Sequence, residues 1–126
     1  MILTTVKKFD MNLDIWKPLI KASRTSSHKF KHSCGLVDSK GNILSIGVNS
    51  KKTHPRLGSK PPYLTLHSEG AAIYDCLKKR IDPFGLVAFV CRVDQYGNPI
   101  NSKPCKFCIN HFKTFGIYKI YYTITS

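Results

Sequence analysis

The chain has 126 residues, which is enough for one domain, and 42% of them are hydrophobic, so the sequence can bury a core. Twenty Lys and Arg residues against seven Asp and Glu residues give a net charge of +13. This charge indicates either a polyanionic partner, such as single-stranded nucleic acid or a nucleotide, or simply a lysine-rich solvated surface. The sequence leaves both interpretations open.

Membrane and secreted classes are excluded by the apolar pattern. No apolar run approaches the ~20 residues that cross a bilayer, and residues 1–9 lack the apolar segment of a secretory signal. We therefore expect no membrane partner and a cytoplasmic location. In that compartment the five cysteines are expected to be reduced thiols or metal ligands rather than disulfides. Three of them, Cys34, Cys76 and Cys91, lie in apolar patterns and are predicted to be core thiols.

The predicted elements alternate between helical and strand periodicity along residues 1–126, which we read as a single domain. In chain order they are a helix over 10–23, a hairpin of strands 34–37 and 43–48, a helix over 67–80, a strand at 86–90, a helix over 105–115 and a strand at 117–124. A polar segment over residues 94–103 is read as an insertion with a turn. The pattern predicts an α/β fold in which a mixed sheet carries helices on its faces and the last two strands lie parallel.

Two short motifs carry the chemistry, and each opens a predicted helix. The first is His67-Ser68-Glu69, and the second is Pro104-Cys105-Lys106-Phe107-Cys108. One imidazole and two thiols are typical zinc ligands, and three of them leave the fourth tetrahedral position open, as in catalytic zinc sites. Helix N-termini favour thiolates. The noncatalytic alternative is a structural zinc site, with His111 as a fourth ligand, or a pair of reduced cysteines.

Together these motifs resemble the H-x-E…P-C-x-x-C signature of the zinc-dependent cytidine/deoxycytidylate deaminase superfamily, over roughly residues 32–124. The resemblance implies a three-layer α/β/α fold with a sheet of about four to five strands. It also implies zinc bound by His67, Cys105 and Cys108, with Glu69, the only glutamate, as the proton shuttle. The substrate contacts that it implies are Asn49 and the backbone groups of Ser68 and Ser102.

The function implied by the resemblance is hydrolytic deamination of a cytosine nucleoside or nucleotide, of the cytidine or dCMP type. Zinc-bound hydroxide would attack C4 while Glu69 transfers protons. Two alternatives remain: a deaminase of cytosine or adenosine in single-stranded DNA, RNA or tRNA, which the +13 charge favours, and a noncatalytic zinc-stabilised nucleic-acid-binding subunit.

The sequence departs from the family pattern at two points. Ser68 replaces an alanine found in many relatives, and the helix and strand that usually follow the last predicted strand are missing. We therefore expect a partner subunit, in a homo-oligomer or otherwise, to complete the site. In the loop over residues 49–63, Lys51, Lys52, Arg56 and Lys60 are read either as solvated or as phosphate ligands, and His54 either as a nucleotide contact or as a plain loop residue.

Overall fold

The fold is a six-stranded mixed sheet with helices on both faces. The computed structural model describes residues 1–7, 13–27, 30–50 and 67–125. The elements, in chain order, are β1 (Ile2–Val6), α1 (Leu13–Ser23), β2 (Lys31–Val37), β3 (Ile43–Val48), α2 (Ser68–Lys78), β4 (Val87–Val93), β5 (Pro99–Ile100), α3 (Lys106–Thr114) and β6 (Lys119–Thr123). Every helix and strand predicted from the sequence is present.

The strand order is β1-β6-β4-β2-β3, and β5 pairs with β4. β2 is antiparallel to both β3 and β4, whereas β4 and β6 are parallel, as predicted for the last two strands. The sheet is larger than the expected four to five strands because two strands were not predicted, β1 and β5. β1 pairs in parallel with β6, so the N-terminal strand lies at the edge of the sheet beside the last strand.

The polar segment over residues 94–103 is part of the sheet rather than a simple insertion. β4 runs on to Val93, three residues beyond the predicted strand, and β5 returns antiparallel to it with Arg92 opposite Ile100. Asp94 begins the connecting turn, and its backbone N–H donates to the carbonyl of Asn98 at 2.9 Å. The second motif therefore follows directly from a short hairpin.

Alternation of side chains along the strands divides the core into two layers. Ala88 and Val90 of β4 face α2 and α3, where they pack with residues such as Ile73 and Phe112. Cys91 and Val93 face Trp16 and Leu19 of α1 on the other side of the sheet. The three-layer α/β/α architecture is therefore confirmed, and the three cysteines predicted in the core are fully buried, namely Cys34, Cys76 and Cys91.

Within the described ranges, no helix has the length and apolar character needed to cross a membrane.

Candidate metal and active site

The two motifs meet at the N-termini of α2 and α3. His67 is the N-cap residue of α2 and Cys105 is the N-cap residue of α3, both with extended backbone. Neither side chain bonds to its own helix as a cap, so both are free to point towards a shared centre. Cys108 lies one turn into α3 and is 2% exposed. The predicted ligands are thus presented by two helix starts.

The donor atoms of His67, Cys105 and Cys108 lie within 4.8 Å of one another. His67 Nδ1 is 3.1 Å from the sulfur of Cys108 and 3.7 Å from that of Cys105. A tetrahedral zinc ion with bonds of about 2.0–2.3 Å holds its ligand atoms roughly 3.5 Å apart. The three residues therefore fit zinc in both chemistry and spacing.

No fourth His, Cys, Asp or Glu belongs to this cluster in the part of the chain that the structure describes. His111, considered as a fourth ligand, instead places its ring 4.4 Å from the ring of Phe107. Three protein ligands leave one coordination position for water or substrate, which is the arrangement of catalytic zinc sites. A structural zinc site, which needs four protein ligands, therefore lacks the fourth among the described residues.

The ionisation of the two cysteines differs sharply when no metal is bound. Hydrogen bonds donated by Cys108 and then by His67 lower the pKa of Cys105 to about 3. The same Cys105–Cys108 contact, together with burial, raises the pKa of Cys108 far above its ordinary value. Hydrogen bonding to Cys105 raises the pKa of His67. In the metal-free site Cys105 is therefore the thiolate, and both the proton of Cys108 and the proton on His67 Nδ1 must leave for zinc to bind.

Glu69 lies in the second position of α2 and is 5% exposed. Its Oε1 accepts a hydrogen bond of 2.7 Å from the Ser68 hydroxyl, which fixes the carboxylate. Both residues line a cavity of ≈ 310 Å³ whose wall also includes His67 and Cys105, two of the three candidate zinc ligands. The cavity is lined by Phe30, His32, Asn49, His67, Ser68, Glu69, Arg92, Lys103 and Cys105.

Asn49 lines this cavity, and its side chain also forms hydrogen bonds with residues between α1 and the start of β2. Its Oδ1 accepts hydrogen bonds from the Ser26 hydroxyl at 2.7 Å and the His32 amide at 2.9 Å, and its Nδ2 donates to the Phe30 carbonyl. The amide nitrogen carries two hydrogens, and this contact uses one of them. Asn49 is therefore placed both to shape the cavity wall and to meet a ligand.

Ser102 does not line the cavity among the described residues. Its hydroxyl donates to the Val90 carbonyl at 2.8 Å, and its backbone N–H donates to the Thr123 carbonyl at 2.9 Å. These bonds tie the segment before α3 to β4 and β6. The substrate contact predicted for its backbone stays a prediction.

Four lining residues were not identified from the sequence: Phe30, His32, Arg92 and Lys103. His32 and Arg92 are directly opposed on β2 and β4, one step beyond the core pair Cys34 and Val90. Strand alternation assigns both residues to the face that carries the site, but only once the pairing of β2 with β4 is known. The loop lysines Lys51, Lys52 and Lys60, with His54 and Arg56, lie outside the described residues.

With this geometry established, the comparison with known families is decisive. The cytidine and deoxycytidylate deaminase zinc-binding region matches residues 13–124 of the sequence. The chain belongs to this deaminase family. Zinc is accordingly its cofactor, and His67, Cys105 and Cys108 form the site for it.

Solved structures of deaminases share the fold. The dCMP deaminase of cyanophage S-TIM5 is 21% identical, with a TM-score of 0.59, over 92% of this chain and 87% of that one. The cytidine deaminase of Burkholderia pseudomallei is 17% identical, with a TM-score of 0.62, over 84% and 77% of the two chains. That of Mycobacterium leprae is 23% identical, with a TM-score of 0.58, over 85% and 82%. No curated protein matches the sequence significantly.

Proposed function

We propose that the chain is a zinc-dependent hydrolytic deaminase of a cytosine nucleoside or nucleotide. The observation that carries this proposal is the position of Glu69. Its buried carboxylate lines the same cavity as His67 and Cys105, which with Cys108 form the candidate zinc site. Hydrolytic deamination needs an activated water and a group that moves protons within one small space. Family membership supports the same reaction.

The reaction exchanges the exocyclic amine at C4 of cytosine for a carbonyl oxygen taken from water, and it releases ammonia. Zinc, when bound, lowers the pKa of a water molecule from about 15.7 towards about 7. Glu69 accepts a proton from that water and delivers protons to the ring nitrogen and then to the departing ammonia. The Ser68 hydroxyl, which donates to Oε1, holds the carboxylate in one orientation for these transfers.

The remaining groups bind and orient the base. We assign Asn49 to the substrate because it lines the cavity and because its Nδ2 has a hydrogen beyond the one given to Phe30. The backbone of Ser68 is assigned to the ring, and that of Ser102 to the amine. The dCMP deaminase of cyanophage S-TIM5 has a solved complex with dCMP and dUMP, which supports a pyrimidine ligand for this fold.

The test is ammonia release from cytidine, deoxycytidine, CMP and dCMP by zinc-loaded protein. We expect turnover, and we expect Glu69→Gln to lower kcat by at least about 100-fold while zinc content stays unchanged. Asp75→Asn is the matched control, because Asp75 is on the same helix and pairs with Lys79 at 2.9 Å. The proposal fails if zinc-loaded protein releases ammonia from none of these four substrates.

A polynucleotide substrate is the second candidate, and the net charge of +13 favours it. A short cytosine-containing single strand, assayed at two salt concentrations, separates the candidates. Turnover of the oligomer alone, falling steeply with salt, would replace the nucleotide by a strand. Tight binding of the strand without any turnover would instead support the noncatalytic subunit. Assembly into a homo-oligomer and completion of the site by a partner stay predictions.

A further inference from the structure

A row of three side chains crosses the sheet at the mouth of the active-site cavity. His32 on β2 is directly opposite Arg92 on β4, and the backbone N–H of Asn49, just past β3, donates to the His32 carbonyl at 3.3 Å. Ala88 and Val90, two and four residues before Arg92, face α2 and α3. Strand alternation therefore places Arg92 on the face that carries the metal cluster, beyond the last core side chain.

Arg92 is held in this cavity without an acidic partner. Its guanidinium lies over the Phe30 ring, 4.9 Å from the ring centre. Among the described residues, no carboxylate lies within ion-pair distance of the Arg92 guanidinium. Its Nε is buried and has no hydrogen-bond partner in the described part of the chain. The Arg92 guanidinium, which lines the cavity, thus carries a charge with no acidic partner, and this points to a ligand that supplies acceptors to it.

The missing partner must be an anion. A guanidinium stays protonated at all physiological pH values, and its planar donors match phosphate and carboxylate oxygens. Lys103 lines the same cavity and adds a second cation, whereas Glu69 is the only lining carboxylate. Zinc with two thiolates and a neutral imidazole has a net charge near zero. The two cations Arg92 and Lys103 outnumber Glu69, so the cavity lining is net positive and favours an anionic ligand such as a phosphate monoester.

We propose that Arg92, seated on the Phe30 ring and assisted by Lys103, is the specificity-determining residue that selects a nucleoside monophosphate over the nucleoside. The assignment rests on the proposed function, since it places the base beside Glu69 and the phosphate at Arg92. Phe30 is a positioning residue: its ring fixes the guanidinium plane by a cation–π contact. The cavity of ≈ 310 Å³ is in the lower part of the range for small-ligand sites.

A second cavity of ≈ 420 Å³ shares Phe30 and Arg92 with the first and is also lined by Lys31 and Tyr96. A strand threaded through both cavities would use these groups for a neighbouring nucleotide. Arg92 lines both cavities, but the second is also lined by the carboxylate of Asp94, which repels a further phosphate, so the observations favour the monophosphate. A strand remains an outcome of the test.

The experiment compares kcat/KM for dCMP and CMP with that for deoxycytidine and cytidine. We expect wild-type protein to prefer the nucleotides and Arg92→Met to lose about 10- to 100-fold on them, mainly through KM. The loss on the nucleosides should be smaller than the loss on the nucleotides. Arg92→Lys should recover part of the loss, because it restores charge but not the planar fork. Phe30→Leu should weaken the preference for nucleotides in the same direction, mainly through KM.

Arg80→Met is the matched control, since it removes the same charge from a residue that follows α2 and does not line the active-site cavity. Zinc content and melting temperature show whether each variant folds. If Arg92→Met does not fold, Arg92→Lys and Lys103→Gln carry the test. The proposal is overturned if wild-type protein treats nucleosides and nucleotides alike, if Arg92→Met lowers both equally, or if only an oligonucleotide is turned over.

Binding separates this inference from the proposed function. Calorimetry with UMP and uridine needs no turnover, and we expect UMP to bind at least about tenfold more tightly to wild-type protein but not to Arg92→Met. If UMP binds more tightly than uridine but no substrate is turned over, the deaminase proposal is wrong and the phosphate site is supported. If substrate is turned over but UMP and uridine bind equally, the phosphate site is wrong and the deaminase proposal is supported.

Discussion

Gly47 on β3 lies directly against the backbone of Ala72 on α2. A Cβ atom on Gly47 would be 2.1 Å from the amide nitrogen of Ala72 and 2.5 Å from the carbonyl oxygen of Ser68. The same strand contacts the same helix through the Ser45 hydroxyl, which donates to the Ala72 carbonyl at 3.1 Å. The first turn of α2, which carries Ser68 and Glu69, thus packs so closely against β3 that only glycine fits at position 47.

Gly47→Ala should therefore damage both the fold and the site. We expect a loss of about 1–3 kcal/mol in the free energy of unfolding, because the neighbouring backbone must shift. Zinc affinity should also fall, since the shift moves the turn that begins at His67. Denaturant unfolding and zinc content measure the two effects. Gly35→Ala is the control: its new methyl group would meet the flexible tip of Leu19 at 2.9 Å, so we expect a smaller stability loss and full zinc content.

The metal cluster predicts one zinc ion per chain and a selective effect of cysteine substitutions. Cys108→Ser should lose zinc and lower the melting temperature, because a hydroxyl is a poor replacement for thiolate. Cys76→Ser should keep zinc, since Cys76 is buried in the core and its sulfur contacts the Ile81 carbonyl. Metal analysis and thermal melts before and after chelation provide the readout. Equal zinc loss in both variants would contradict the assigned ligand set.

Ser68→Ala tests whether Ser68 contributes to catalysis through its hydroxyl or only through its backbone. The substitution removes the 2.7 Å hydrogen bond to Glu69 Oε1 but leaves the carboxylate and the backbone of α2 in place. We expect kcat to fall by about 10- to 30-fold, the lower part of the range for the loss of one hydrogen bond to a charged group, about 1.5–3 kcal/mol. Steady-state kinetics beside Glu69→Gln gives the comparison. A loss as large as that of Glu69→Gln would make the hydroxyl itself essential.

The metal site was predicted from the sequence, because each of its two motifs is short and lies at a helix start, so the local spacing of the residues fixes where their side chains point. β1 was missed for the opposite reason. Its residues are mostly exposed, so Ile2–Val6 shows no alternation, and its partner β6 is more than a hundred residues away along the chain. Arg92 was missed because a single basic residue after an apolar run gives no signal until the register of β2 and β4 is known.

β5 could have been predicted, since its turn repeats an earlier one. Asp38-Ser39-Lys40-Gly41-Asn42 and Asp94-Gln95-Tyr96-Gly97-Asn98 share the pattern Asp-x-x-Gly-Asn. In each, the aspartate oxygen accepts from the amides two and four residues later, and the glycine has a positive φ of 85° or 81°. The first copy was correctly predicted to form a hairpin, and the second forms one for the same reason.

This shared turn makes stability depend on acid pH in a predictable direction. Hydrogen bonds from the amides of Asn98 and Tyr96 lower the pKa of Asp94, and those from Asn42 and Lys40 lower the pKa of Asp38. A carboxyl whose folded pKa lies below its unfolded value of about 3.9 contributes stability above that value. The contribution is lost as pH falls through the folded pKa. Asp94→Asn and Asp38→Asn should each reduce the loss of stability between about pH 5 and pH 2.

The two turns should differ at neutral pH, because only the second is next to the cavity. β5 pairs with β4 at Arg92, so loosening the Asp94 turn frees the strand that holds the guanidinium. Asp94→Asn should weaken the preference for dCMP over deoxycytidine, whereas Asp38→Asn should leave it unchanged. Unfolding curves across pH, with kcat/KM for both substrates at pH 7, give both results. Equal behaviour of the two variants towards the substrates would show that the β4–β5 turn does not position Arg92.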